Sequence, residues 1–443
     1  IYNIQKKLYI LGKIMKKFIF AALITLLPGI ASAERLNIDI TSGNFQPIPV
    51  AVHGFVAADA SGQDANQTLV SVISADLKNT GLFKLISPSS FLEKMAPGQV
   101  MPTFENWSQI GTQALVTGQV RSVGGKISVE FRLWDVLTGS QMAGTSYQTS
   151  SRGLRRVGHQ IADEIYQRLT GEQGYFDSRI VYVAESGSKK GRVKRLAIMD
   201  QDGFNHQYIT GGKSLVLTPR FTPTEQRIIY MSYANSTPRV RTLDIETGRE
   251  NVIGNFPGMT FSPHYSPDGR SLLISVAQRG NTDIYELVGG GSNRLTTDPA
   301  IDTSASYSPD GRQIVFSSDR GGAQNLYVMD RSGGNVKRIT FGGGNYSAPV
   351  WSPRGDYIAF TRQSGGGFHI GVIKPDGNGE RMLTSSYMDE SPSWAPNGRV
   401  IVFTRESRGG ASSLYAIDVT GYNERRISTP GSASDPTWSP LLK

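Results

Sequence analysis

The sequence predicts two domains, a small α/β N-terminal domain followed by an all-β, six-bladed β-propeller of WD40-type repeats. The chain has 443 residues, more than one hydrophobic core usually organises. Its first third mixes helical and strand periodicities, whereas helical periodicity disappears from Arg179 onward. There, a short motif recurs every 42 to 44 residues, which is the length of one propeller blade. The predicted boundaries are 34–171 for the first domain and 172–443 for the propeller.

Residues 1–33 are predicted to be a signal peptide with preceding residues. A basic start at Met15 leads into an apolar run from Phe18 to Leu27, which is short for a membrane span. Ala31 and Ala33 then form an A-x-A cleavage site. Residues 1–14 are interpreted as translated upstream sequence. The mature chain is expected to start at Glu34 and to carry no membrane insertion.

The α/β domain is predicted from alternating strand and helix signals. A first helix is expected to open at Asp64, with Gln67 completing a capping box, and to end at Gly81. A second carries an apolar stripe and ends at Gly171. The predicted strands cover Leu36–Ile40, Ile48–Val52, Phe83–Ile86, Ala114–Val123 and Ile127–Val136, the last two forming a hairpin at Gly124-Gly125.

The propeller is predicted from a marker of an aromatic residue, a small residue and proline. In most repeats a tight turn, an apolar strand and two further strands follow it, so that each period holds four strands. The marker aromatics are expected to pack between neighbouring blades, with a ligand-binding aromatic ring around the channel as the alternative. They are Phe221, Tyr265, Tyr307, Trp351, Trp394 and Trp438.

The two ends of the propeller region are each incomplete. The marker Trp438-Ser439-Pro440 has no blade after it, and the three strands predicted over Arg179–Gly212 have no marker before them. We expect the two parts to form one composite blade that closes the ring and hides its edges.

Composition argues against several classes of function. The chain has no cysteine, and five of its nine net positive charges lie before Glu34, which leaves an ordinary surface rather than a nucleic-acid footprint. It contains no G-x-S-x-G elbow, no H-E-x-x-H pair and no phosphate-binding P-loop. The five histidines stand in unrelated contexts. No catalytic residue, cofactor or metal is predicted; a propeller hydrolase or an envelope sugar-binding protein remains the alternative.

One face of the propeller is predicted to bind a partner. Strand direction alternates within a blade, so the loops that enter the inner strands share one face, and their sequences vary more than the turns of the other face. The residues assigned to this binding face are Ser214, Met259, Thr260, Asp302, Thr303, Tyr346, Asp389 and Glu390.

Along most of its length the sequence resembles the TolB family of the bacterial Tol–Pal system. The segments that carry the resemblance are Ala75–Gly81, Ala114–Val120, Arg156–Gly171, Asn325–Asp330, Asp389–Ser393 and Pro436–Pro440. The resemblance implies a non-enzymatic, cofactor-free periplasmic protein that acts as a monomer. It implies support of outer-membrane integrity, of constriction at cell division and of protein import.

The resemblance also implies partners and their sites. The peptidoglycan-associated lipoprotein (Pal) would bind the propeller face listed above, and the C-terminal domain of TolA would bind the mature N-terminus, with other outer-membrane proteins as further partners. The alternation of the N-terminal segment suits addition of a strand to a partner's sheet. The tail assigned to TolA is Glu34, Arg35, Leu36, Asn37, Ile38, Asp39 and Ile40.

Overall fold

A computed structural model describes residues 46–442, apart from 58–59, 97, 188–190, 235–237 and 254–258. The predicted signal peptide, the cleavage residues Ala31 and Ala33, and the tail Glu34–Ile40 lie outside the described residues. Within the described part, no helix has both the length and the apolar character needed to cross a membrane.

The first domain is built on a five-stranded sheet in the order β2-β1-β3-β4-β5. The central strand β1 is parallel to both of its neighbours, while β3, β4 and β5 form an antiparallel meander. The strands are β1 Ile48–Ala57, β2 Phe83–Leu85, β3 Ala114–Val123, β4 Lys126–Asp135 and β5 Ser140–Thr149.

Two long helices pack against each other and against this sheet. The helices are α1 Ala60–Asn79, the short α2 Phe104–Gln109 and α3 Leu154–Thr170, with 3-10 turns at Pro88–Ser90 and Ser151–Gly153. Gly158 of α3 lets the helices approach closely, because a Cβ at this position would lie 2.8 Å from Val72 Cγ1 of α1. Gly171 ends α3 in the left-handed conformation with φ +75°.

Most of the predicted elements of this domain are confirmed, including the hairpin at Gly124-Gly125, where both glycines have positive φ. The capping box at Asp64 is wrong: α1 begins at Ala60, and the Asp64 carbonyl already accepts a bond from Thr68 Oγ1 inside the helix. Strand β5 was not predicted, since it is a largely exposed edge strand without apolar alternation.

The second domain consists of antiparallel sheets. Four of them have four strands, and one has eight strands, in which two four-stranded groups meet at the single pair Phe368 and Met388. We call each four-stranded group a blade. The strands of the first three blades are β6 Arg179–Ser186, β7 Val193–Asp200, β8 Gln207–Tyr208, β9 Val216–Phe221, β10 Arg227–Ser232, β11 Arg239–Asp244, β12 Glu250–Val252, β13 Met259–Tyr265, β14 Ser271–Gln278, β15 Asn281–Val288 and β16 Gly291–Arg294.

The remaining blades follow the same order of strands. They are β17 Asp302–Tyr307, β18 Gln313–Gly321, β19 Ala323–Asp330, β20 Lys337–Arg338, β21 Asn345–Trp351, β22 Ile358–Ser364, β23 Gly367–Ile373, β24 Arg381–Met382, β25 Met388–Trp394, β26 Val400–Glu406, β27 Ser412–Asp418, β28 Arg425–Ile427 and β29 Ser432–Trp438. The count of six blades stays a prediction that this pairing does not contradict.

The composite blade is confirmed. The last strand, β29, pairs antiparallel with β6, so that Trp438 lies opposite Ile180. Trp438 Nε1 donates to Ser178 Oγ at 2.8 Å, and the backbone N–H of Arg179 donates to Ser439 Oγ at 2.8 Å. The end of the chain therefore supplies the innermost strand of the blade that the propeller region starts with.

The inner strands share a backbone feature that the sequence analysis did not predict. We use the name inner strands for β9, β13, β17, β21, β25 and β29, which begin at one end of the channel and end at the aromatic markers. Each has a register shift and one non-glycine residue with positive φ, located five residues before the marker proline. Such bulges bend a strand and increase its twist. The bulge residues are Thr218, Ser262, Ser304, Ala348, Ser391 and Asp435.

A buried charge cluster joins the two domains. His159 of α3 contacts Asp76 of α1, with Nδ1 2.6 Å from Oδ2, and its Nε2 lies 3.9 Å and 4.0 Å from carboxylate oxygens of Asp200 and Asp202 in the propeller. Burial alone would lower the pKa of His159, but attraction and hydrogen bonding by Asp76, reinforced by Asp202 and Asp200, raise it to about 9.

We therefore expect stability to fall as pH rises from about 6.5 to about 9. Protonated His159 stabilises the folded state fully below its unfolded pKa, and this contribution is lost as the folded pKa is passed. At 1.36 kcal/mol per unit of pKa, the loss is roughly 3 kcal/mol. Urea unfolding across this pH range measures it. The His159→Gln variant should show a clearly smaller slope, and an equal slope in both proteins would contradict the assignment.

Candidate functional site

The predicted binding face lies where the inner strands begin, an end of the channel that we call the entry mouth. Met259, Asp302 and Met388 are the first residues of β13, β17 and β25. The strands run from this mouth to the aromatic markers at the opposite end, which we call the turn mouth. The structure brings the predicted residues to one mouth, but it buries several of their side chains.

Asp302 is fully buried beneath an arginine. Arg320, at the end of β18, donates from Nη2 to both carboxylate oxygens of Asp302 at 3.0 and 2.8 Å. Its Nε bonds Ser318 Oγ at 2.9 Å, and its guanidinium lies about 5 Å from the ring centroids of Phe316 and Tyr327. The carboxylate of Asp302 is thus locked in place inside the rim.

Asp389 repeats this arrangement two blades later. Its carboxylate is fully buried and accepts bonds from Arg405 Nε at 2.7 Å, Arg405 Nη2 at 2.9 Å and Ser386 Oγ at 2.7 Å. Arg405 also bonds both oxygens of Glu424, at 2.6 and 2.9 Å, and lies 4.4 Å from the ring centroid of Tyr415. Bidentate pairs of this kind fix geometry as well as charge.

Tyr346 is the third buried member. Its hydroxyl donates to Glu380 at 2.8 Å, and Arg362 Nη1 donates to the same Glu380 oxygen at 3.1 Å. Burial, followed by the bond to Glu380, raises the pKa of Tyr346 to about 12, so it stays protonated at neutral pH. Arg362 also bonds the carbonyl of Gly343, which ties the loop before β21 to the blade.

The assignment of direct contacts therefore needs correction for four residues. Thr260, Asp302, Tyr346 and Asp389 are buried and present no side-chain surface to a partner. Their spacing placed them at the mouth, but it did not show that Arg320 and Arg405 bind the two carboxylates or that the Tyr346 hydroxyl is bound to Glu380.

The other predicted residues remain available at the mouth. Ser214, Thr303 and Glu390 are half-buried. Burial, with Asp435 and Glu406 nearby, raises the pKa of Glu390. The side chain of Met259 is outside the described part of the structure.

Exposed apolar side chains next to these residues were missed. Leu215, Ile301 and Tyr387 are 42%, 46% and 44% exposed, and each immediately precedes an inner strand. Three exposed apolar side chains at the same mouth are candidate anchors for a protein partner, although each lies in a different blade. The signal that would have found them is an apolar residue directly before the inner strand, where a polar loop residue is expected.

One group of described residues offers ligand atoms suited to a metal, and it lies at the domain junction rather than the mouth. It comprises Asp76, His159 and Asp202. The Arg155 guanidinium already contacts Asp202 and approaches Asp200 Oδ2 at 3.6 Å, so a protein cation balances these carboxylates.

The geometry of the entry mouth itself suits non-covalent docking.

Comparisons with known proteins agree with this architecture. A family described as "TolB amino-terminal domain" matches residues 36–142, and one described as "TolB beta propeller domain" matches residues 166–442. The Tol-Pal system protein TolB of Gluconobacter oxydans (strain 621H) is 46% identical over 414 residues, covering 91% of this chain and 88% of that protein.

Solved structures show the same likeness. The crystal structure of TolB from Acinetobacter baumannii superposes with a TM-score of 0.80 at 30% identity, covering 89% of this chain and 97% of that one. Hydrazine synthase of Kuenenia stuttgartiensis matches 59% of this chain and 46% of its own, with a TM-score of 0.50 at 13% identity, which is a likeness of fold alone.

Proposed function

Because this chain belongs to the TolB family, and so to the Tol–Pal system, we propose that it is a non-enzymatic periplasmic docking protein that links Pal to TolA. In this role it supports outer-membrane integrity and constriction at cell division. The observation that carries the proposal is the entry mouth, where exposed apolar side chains lie beside a framework of buried ion pairs.

The framework supports docking by holding the rim rigid. Arg320, Arg362 and Arg405 each bind a partner within their own blade, so the segments beside Ile301 and Tyr387 are already ordered before a partner arrives. A surface ordered in advance loses less conformational entropy on binding. We infer that Pal contacts Leu215, Ile301 and Tyr387, with Ser214, Thr303 and Glu390 around them, while Asp302 and Asp389 act through the arginines that they hold.

A single tyrosine tests the Pal site. Tyr387→Ala is expected to weaken Pal binding at least about tenfold, as truncation of an interface aromatic commonly does. Tyr422→Ala is the matched control, because Tyr422 is 66% exposed in the same blade but lies in the β27–β28 turn, at the turn mouth. Calorimetric titration of each purified variant with Pal measures the effect. Equal losses in both variants, or none in Tyr387→Ala, would count against the Pal site.

The second arm of the experiment concerns the tail. Deleting Glu34–Ile40 is expected to abolish binding of the TolA C-terminal domain while Pal affinity is kept or increased. Tyr387→Ala should show the reverse pattern. Retention of TolA binding by the tail deletion would refute the two-site arrangement, whatever the result for Pal.

A further inference from the structure

The turn mouth contains a cavity that the docking function does not use. It has a volume of about 420 Å³ and lies where the inner strands end at their aromatic–proline markers. This volume is within the range of small-molecule sites. The cavity lies at the opposite end of the channel from the exposed apolar residues of the entry mouth.

Its walls are largely aromatic and proline rings, and the polar atoms of three of the aromatic rings are already hydrogen-bonded. Trp394 Nε1 donates to the carbonyl of Val350 at 3.0 Å, Trp438 Nε1 donates to Ser178 Oγ, and the Tyr307 hydroxyl donates to Glu286 at 2.7 Å. The rings therefore offer the cavity mainly their apolar surfaces. A ligand here would be held by apolar contact over most of its body.

One cation is placed against these walls. Arg220 of β9 lines the cavity, donates from Nη1 to its neighbouring carbonyl of Pro219 at 2.8 Å, and forms no ion pair with any described residue. Burial lowers the pKa of Arg220, partly offset by the field of Asp435, but a guanidinium stays charged at neutral pH. Most of its donor groups remain free for a ligand.

His264, the histidine of the lining, is neutral at pH 7. Burial, followed by repulsion from Arg220, lowers the pKa of His264 to about 4. None of the described residues that line the cavity is a carboxylate, so among them Arg220 carries the only charge at neutral pH. A partly buried cation that forms no ion pair with a described residue favours an anion, because a charge-assisted hydrogen bond replaces its lost hydration.

We propose that the turn-mouth cavity binds a small organic monocarboxylate with an apolar body. The carboxylate pairs with Arg220, and the body lies between the marker rings, above all Trp351, Trp394 and Trp438. This site is separate from the Pal face and adds a ligand to a protein whose proposed role is docking. Its position beside the ends of β25, β29 and β9 places it at the closure of the ring.

Octanoate and octanamide form a matched pair of probes, since they differ mainly in charge. Calorimetric titration at pH 7 should show octanoate binding at least about tenfold more tightly than octanamide. Three of the five tryptophans line the cavity, so octanoate should also change the tryptophan fluorescence. Equal affinities for the two probes would overturn the proposal. So would the absence of octanoate binding at concentrations up to about 10 mM, where even very weak binding would be detected.

Three substitutions test whether the preference for octanoate comes from Arg220 or from the overall charge of the protein. Arg220→Gln should remove the preference for octanoate, Arg220→Lys should keep it, and Arg279→Gln, an exposed arginine beyond the end of β14, should leave it unchanged. A preference that survives in Arg220→Gln would refute the site. If circular dichroism shows that Arg220→Gln does not fold, the comparison of the two probes on the wild-type protein and on Arg220→Lys decides the question.

Discussion

Removing residues 435–443 is expected to abolish cooperative folding of the propeller. The deletion takes away the second half of β29, including Trp438, which is buried and pairs with Ile180. It also removes the acceptor for the N–H of Phe221, which is Thr437 Oγ1 at 3.1 Å, and the donor to Ser393 Oγ, which is the N–H of Trp438 at 3.1 Å. The lost strand therefore contacts the blade on each side as well as its own.

The expected loss of stability is large because the deletion opens the closed ring of blades. Loss of a buried tryptophan alone costs about 3–5 kcal/mol, and the opened ring exposes two strand edges in addition. Since a domain is stable by only about 5–15 kcal/mol, the deletion should exceed the available stability. Thermal melting followed by circular dichroism measures this. Deleting only 441–443, which leaves β29 intact, is the control; a deletion of 435–443 that still melts cooperatively near the wild-type temperature would contradict the closure.

Arg405→Ala is expected to destabilise the protein by roughly 3–5 kcal/mol, because it leaves the buried carboxylate of Asp389 without its cation. Arg405 has a side-chain exposure of 18% and binds Asp389 and Glu424 together. Urea unfolding measures the change in free energy. Pal affinity should fall in the same variant, because the loop before β25 that carries Tyr387 loses its anchor through Ser386 and Asp389.

Arg312→Ala is the control for this prediction. Its side chain is 86% exposed and its nearest carboxylate oxygen, in Asp310, is 4.0 Å away, so we expect a change below about 0.5 kcal/mol. Similar losses in both variants would show that Arg405 contributes no more than an ordinary surface charge. The same reasoning excludes Asp389→Lys as an interface probe, because a second buried cation beside Arg405 would disrupt the fold first.

The exposed or buried state of the rim could not be predicted from the repeat. A period of 42 to 44 residues places Asp302 and Asp389 at the start of an inner strand. Whether each side chain faces a partner depends on Arg320 or Arg405, which lie 18 and 16 residues later and fold back over it. Tyr387 shows the converse. Its side chain is exposed, although the strand that begins at the next residue, Met388, is largely buried.

The sequence by itself determined the architecture. The strand alternation, the proline and glycine turns and the spacing of the aromatic markers are local signals, and they predicted the α/β domain, the four-stranded blades and the composite blade closed by Trp438. These features follow from backbone geometry and from the burial of one face, which a short window of residues already encodes.

Only the tertiary structure decided which polar groups become buried partners. Asp76 and His159 are 83 residues apart and meet Asp200 and Asp202 of the other domain. The bulge in every inner strand falls on a residue other than glycine, and its signal, a proline directly after the bulge residue in five of the six strands, was not used. Arg220 lines a cavity formed by distant blades. Such contacts depend on burial between segments far apart in the chain, where removal from water sets both the charge state of a group and the partner that it requires.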